Sequence, residues 1–186
     1  MNKISVDCRR SKVYDMVLVA MMASVTCILS PMVIPIGPVP ISFLNLIIYL
    51  SIYLLRWKMA TVSYLVYLSI GLVGLPVFSG YSGGIGKLLG PTGGYLIGFI
   101  FIAIIAGMIV DRYSSRMIHG IGMIVGTIVS YILGTAWFCI IMESSAAAAL
   151  GMCVFPFIPG DIVKIVIAVM FGPALRERLK KEGFYS

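Results

Sequence analysis

Apolar runs of about 20 residues recur along this chain, the length that an α-helix needs to cross a hydrocarbon layer roughly 30 Å thick. That feature constrains the fold more than any motif does. Six such spans fit, at about 13–31, 41–55, 58–75, 91–110, 117–142 and 160–178. Composition agrees: 60% of the 186 residues are hydrophobic and 11% are charged, against about 25% charged in ordinary soluble domains. The mean hydropathy is +1.07. These values predict an all-α integral membrane protein, a single transmembrane domain over residues 1–186 with a basic tail at about 1–12. Little chain remains outside the spans, so no soluble catalytic domain is expected.

The basic residues set the orientation. Lys3, Arg9, Arg10, Lys12, Arg56, Lys58, Arg112, Arg116, Arg176, Arg178, Lys180 and Lys181 all fall at one set of span ends, out of 14 Lys and Arg in total. Positive residues favour the cytoplasmic side, so both termini are expected there, in the cell membrane. The net charge of +7 then follows from membrane topology. No aromatic–basic platform accompanies it, and no nucleic-acid partner is expected.

The opposite ends carry three apolar, punctuated loops. PMVIPIGPVP (31–40) holds four prolines and cannot be helical. PVFSGYSGGIGKLLG (76–90) is rich in glycine, and ESSAAAALGMCVFPFIP (143–159) is closed by two prolines. Together they point to a common pocket on the outer face.

Nucleotide motifs fail in the glycine loop. A phosphate-cradling loop needs GxxxxGK[ST], but Gly86-Lys87 is followed by Leu88, and Tyr81 stands where the first glycine belongs. Cys8, Cys27, Cys139 and Cys153 have no metal-ligand spacing, and His119 is the single histidine. No metal, cofactor or catalytic constellation is therefore expected. Small residues four apart, at Gly90, Gly94, Gly98 and at Gly122, Gly126, Ser130, Gly134, suit close helix packing in lipid. Ala20 and Ser24 form a similar pair in the first span, where docking on another protein is the stronger reading.

FIPGDIVK (157–164) places an acid and a base three apart at the start of the last span. Asp161 and Lys164 share one helix face. One reading is a helix-capping carboxylate with a local ion pair. The other is a recognition site for a small molecule, with Asp161 accepting N–H donors and Lys164 meeting a carboxylate or carbonyl. Asn45, polar among apolar neighbours, suits an interhelical hydrogen bond or a ligand contact. Tyr95 suits an interface anchor or a pocket wall. Tyr53 and Trp57 read as an aromatic belt, and Asp111 as a local partner of Arg112 or Arg116.

GLPVFSGYSGGIGKLLGPTGGYLIGF (74–99) together with FIPGDIVK closely resembles the BioY family, the biotin-specific substrate-binding subunits of energy-coupling-factor (ECF) transporters. PVPI (38–41) is similar to that family as well. The resemblance covers essentially the whole chain. It implies a six-helix bundle like other ECF substrate-binding (S) components, with a biotin pocket near the outer surface. Asp161 and Lys164 are implied as polar contacts, and 74–95 as a pocket wall. Ser82 stands where members often carry Asn, and offers one hydroxyl. Ala20 and Ser24 are implied to dock on a transmembrane coupling subunit that is attached to two cytoplasmic ATPase subunits. The alternatives are an S component for another vitamin, such as riboflavin or thiamine, and a membrane scaffold without a ligand.

Overall fold

The computed structural model describes residues 3–34 and 39–181, with side chains left undescribed for 3–11 and 180. The described chain is mostly helical. α1 (Lys3–Leu29) is followed by a short antiparallel hairpin, β1 (Val33–Ile34) and β2 (Ile41–Ser42). Then come α2 (Leu44–Leu54), α3 (Trp57–Leu72), the one-turn α4 (Ile85–Leu89), α5 (Gly93–Arg112), α6 (Arg116–Met142), α7 (Ala146–Cys153) and α8 (Ile158–Lys181).

Among the described residues, four segments are long and apolar enough to cross a membrane: Lys12–Leu29, Gly93–Arg112, Arg116–Met142 and Ile158–Leu179. The expected second and third spans are shorter than anticipated. α2 has 11 residues and α3 has 16, or about 16 and 24 Å of helix at 1.5 Å per residue. Two further differences have local causes. No Pro or Gly interrupts residues 3–29, so the segment expected as a basic tail is helical from Lys3 onward. The loop 143–159 contains α7, because Ser145 accepts from the Ala148 N–H as an N-cap and a run of alanines follows. The proline-rich loop forms the two-stranded hairpin; its residues 35–38 lie outside the described chain.

α5 and α6 make the most extensive helix pair, and the two glycine ladders bring them together. A Cβ on Gly98 would sit 2.9 Å from Ser130 Cα, one on Gly126 3.1 Å from Ile102 Cα, and one on Gly134 against the Tyr95 ring. This register runs antiparallel and leaves no room for larger residues.

The core is rich in tyrosine. Tyr49, Tyr53, Tyr64 and Tyr67 of α2 and α3 are all buried. Each hydroxyl finds a partner on another element: Thr127 at 2.5 Å, His119 Nδ1 at 3.1 Å, the Leu96 carbonyl at 2.8 Å and Ser30 at 2.6 Å. Tyr53 is thus a core residue and not part of an aromatic belt. His119 Nε2 lies 2.7 Å from the Tyr113 carbonyl, which can only accept. In the neutral ring, Nε2 therefore donates and Nδ1 accepts from Tyr53. Asp111 also departs from expectation. It pairs with Arg176 of α8 and accepts the Trp57 backbone N–H at 2.9 Å, contacts across the bundle and not along its own helix.

Replacing Gly98 with Leu forces α5 from α6 against a backbone atom. It is expected to cost about 1–3 kcal/mol, read as a lower thermal midpoint in detergent. Gly151→Ala, where open space surrounds the added carbon, serves as the neutral control; equal midpoints for both would contradict the packing account.

Candidate ligand-binding pocket

At the end of the bundle where α2, α5 and α8 begin, the three punctuated loops converge. They close over a cavity with about 600 Å³ of empty space, counting the part open to solvent. The hairpin contributes Val39, Pro40 and Ser42; the glycine-rich loop contributes Ser79; α7 and the turn after it contribute Cys153 and Phe157. Leu44 and Asn45 of α2, Thr92, Tyr95, Leu96 and Phe99 of the α5 segment, Tyr131 of α6, and Asp161 and Lys164 of α8 complete the wall.

One polar cluster lies in this mostly apolar wall. Asp161 and Lys164 are 4% and 8% exposed, and Lys164 Nζ lies 2.9 Å from Asp161 Oδ1. Asn45 Nδ2 donates to the same oxygen at 3.0 Å. The Tyr131 hydroxyl donates to Oδ2 at 2.5 Å. Lys164 also donates to the Ser42 carbonyl at 2.8 Å. Four elements thus meet on one ion pair. The Asp161 side chain bonds these three partners and is not recorded capping the α8 backbone. Its own backbone N–H is already held by the Phe157 carbonyl at 2.9 Å.

The hydrogen-bond count matters for what the cluster can do. A carboxylate offers about four acceptor sites and an ammonium three donors. Among the described residues, Asp161 accepts three bonds and Lys164 gives two. One acceptor site on Oδ2 and one N–H on Nζ remain. The pair is neutral as a unit, so it can meet a ligand that brings one N–H donor and one oxygen acceptor.

Tyr95 also lines the cavity. Its hydroxyl lies 3.2 Å from the Cys153 carbonyl, to which it donates, and 3.3 Å from Thr135 Oγ1. Ser82 does not line it: its hydroxyl donates to the Ser79 carbonyl at 2.9 Å, inside the loop, and Ser79 reaches the wall instead. Ala20 and Ser24 are remote from the cavity, exposed on α1, with Ser24 Oγ donating to the Ala20 carbonyl at 2.9 Å. Lys87 is half-buried on α4, and that burial lowers its pKa.

Sequence reasoning missed Tyr131 and Thr92. Tyr131 had a faint signal, since it follows Ser130 in the α6 ladder and so sits beside the face that packs on α5.

Such a helical membrane bundle, with a largely apolar cavity and a buried ion pair in its wall, defines a membrane-embedded small-molecule binder. A sequence model described as the BioY family matches residues 2–181, and the chain belongs to that family. It is 32% identical over 178 residues to the biotin transporter BioY2 of Lactococcus lactis subsp. cremoris, covering 95% of this chain and 98% of the relative. It is 36% identical over 165 residues to a probable biotin transporter BioY of Pyrococcus horikoshii, covering 89% and 98%. The crystal structure of the S-component for biotin from an ECF-type ABC transporter is similar, with a TM-score of 0.83 and 30% identity, covering 90% of this chain and 93% of that one.

Removing one member of a buried pair strands the other charge, at a cost of about 3–5 kcal/mol. Lys164→Met is therefore expected to lower the thermal midpoint strongly, and Asp161→Asn with Lys164→Met to recover much of the loss. A double variant as unstable as the single one would show that the ion pair is not what holds this end together.

Proposed function

We propose that this protein captures biotin at the cell membrane for uptake, as the S component of an ECF-type ABC transporter. The observation that carries the reading is the buried Asp161–Lys164 pair, with one acceptor and one donor unused, set in an otherwise apolar cavity. Biotin has a ureido ring with N–H donors, an apolar thiophane and valeryl chain, and a carboxylate. Asp161 accepts an N–H, Lys164 meets an oxygen, and Leu96, Phe99 and Phe157 cover the apolar part. Asn45 holds the Asp161 carboxylate, and Tyr95 forms part of the wall. Ser82 acts through the loop that presents Ser79. Family membership and the names of the relatives support the ligand.

The proposal includes one transmembrane domain with six membrane segments and both termini cytoplasmic. It carries no catalytic chemistry and no cofactor of its own. Energy comes from a transmembrane coupling subunit and two cytoplasmic ATPase subunits, with the exposed Ala20 and Ser24 face of α1 as the docking surface. The hairpin, the glycine-rich loop and α7 close over biotin, and the coupling module then reorients the subunit to release it inside.

Isothermal titration of the purified protein tests the ligand. Saturable heat is expected with biotin and none with riboflavin or thiamine, and the opposite preference would assign another vitamin. Lys164→Ala, checked for folding by its elution profile, is expected to weaken biotin binding by about 10- to 100-fold, the scale of losing a buried charge-assisted contact. Unchanged affinity in that variant would remove Lys164 from the site.

A further inference from the structure

The Asp161–Lys164 pair serves one end of the pocket, but biotin is elongated and polar at both ends. A second polar anchor is therefore needed, and the wall holds an unclaimed one. Thr92 is 9% exposed, lines the cavity, and its Oγ1 is buried without a hydrogen-bond partner among the described residues. Buried polar groups are ordinarily paired, and each exception needs an explanation.

The position makes the exception sharper. Thr92 is the N-cap residue of α5, where a threonine hydroxyl commonly accepts from the first-turn N–H groups. Here it makes no cap bond. The Tyr95 and Leu96 N–H groups are taken by the Thr92 backbone carbonyl, at 3.2 and 3.3 Å. The hydroxyl is thus not committed to the helix end.

The antiparallel packing of α5 on α6 sets an axial offset between Thr92 and the level of Tyr131. Ser130, the neighbour of Tyr131, is level with Gly98. Thr92 lies six residues earlier on the chain, about 9 Å along the α5 axis at 1.5 Å per residue. Tyr131, one position from that level, donates to Asp161, and Tyr95, Leu96 and Phe99 share the wall with Thr92.

We propose that Thr92 is a ligand-binding and specificity-determining residue, whose Oγ1–H donates a hydrogen bond to an oxygen of the bound molecule at the end remote from Asp161. The inference rests on the biotin reading and deepens it. Because Asp161 takes a ureido N–H, the oxygen at the remote end belongs to the carboxylate.

Thr92→Val replaces the hydroxyl by a methyl at nearly constant shape. Because the hydroxyl has no partner among the described residues, the thermal midpoint without biotin is expected to be unchanged or higher. Affinity for biotin is expected to fall about tenfold, the worth of one hydrogen bond, and Thr92→Ser to restore most of it. The same titrations with biotin methyl ester identify the oxygen. A loss that shrinks with the ester supports the carboxylate contact, and a loss that persists in full overturns it. Equal affinity of Thr92→Val and the unaltered protein for both compounds overturns the inference alone. Failure of the unaltered protein to bind biotin overturns the biotin reading and the inference with it.

Discussion

A polar group within the hydrocarbon depth of a membrane has no water to bond, so its partner has to come from the protein. This chain meets that constraint with contacts between elements far apart in sequence. Tyr49 reaches Thr127, Tyr67 reaches Ser30, and Tyr64 reaches the Leu96 carbonyl. Each bond ties α2 or α3 to a different neighbour, and the small residues of α5 and α6 bring the backbones close enough for the remaining side chains to interlock. The same rule governs the charged groups. Asp161 gathers Asn45, Tyr131 and Lys164, and Lys164 then holds the Ser42 carbonyl. Asp111 does the same work at the opposite end with Arg176 and the Trp57 N–H.

How far the sequence foretold this depends on the range of each interaction. Span-length apolar runs, loop prolines and the i, i+3 relation of Asp161 and Lys164 are local, and they were legible. The glycine ladders were legible as packing faces because spacing alone puts small residues on one side of a helix. Pairings across the bundle were not. Nothing near Asp111 says that Arg176 will reach it before Arg112, and a tyrosine such as Tyr53 carries the same local pattern whether it sits at an interface or in the core. Tyr131 and Thr92 belong to the same class, since what distinguishes them is what stands opposite. α7 is a different kind of miss: Ser145 followed by alanines was a readable helix start inside a segment treated as a loop.

The short α2 connects the fold to the pocket. With Arg56 and Lys58 just past one end, 11 residues of helix carry the chain only about 16 Å, roughly half of a hydrocarbon layer. On the six-segment reading proposed above, backbone beyond its other end lies at membrane depth without helical hydrogen bonds, which is tolerated only where protein covers it or where it lines a cavity. The Ser42–Asn45 stretch does both. Ser42 caps the turn by accepting from the Leu44 N–H at 3.0 Å, and its carbonyl is satisfied by Lys164. Stopping the helix early thus creates the space that becomes the pocket and exposes a carbonyl that needs a cation. Lys164 answers that need, and Asp161 neutralises Lys164. The ion pair that reads as a ligand site is in the same stroke the device that lets the hairpin turn inside the bundle. Its neutrality keeps the empty cavity from carrying a bare charge, while the single donor and single acceptor left over are enough to orient a polar ligand.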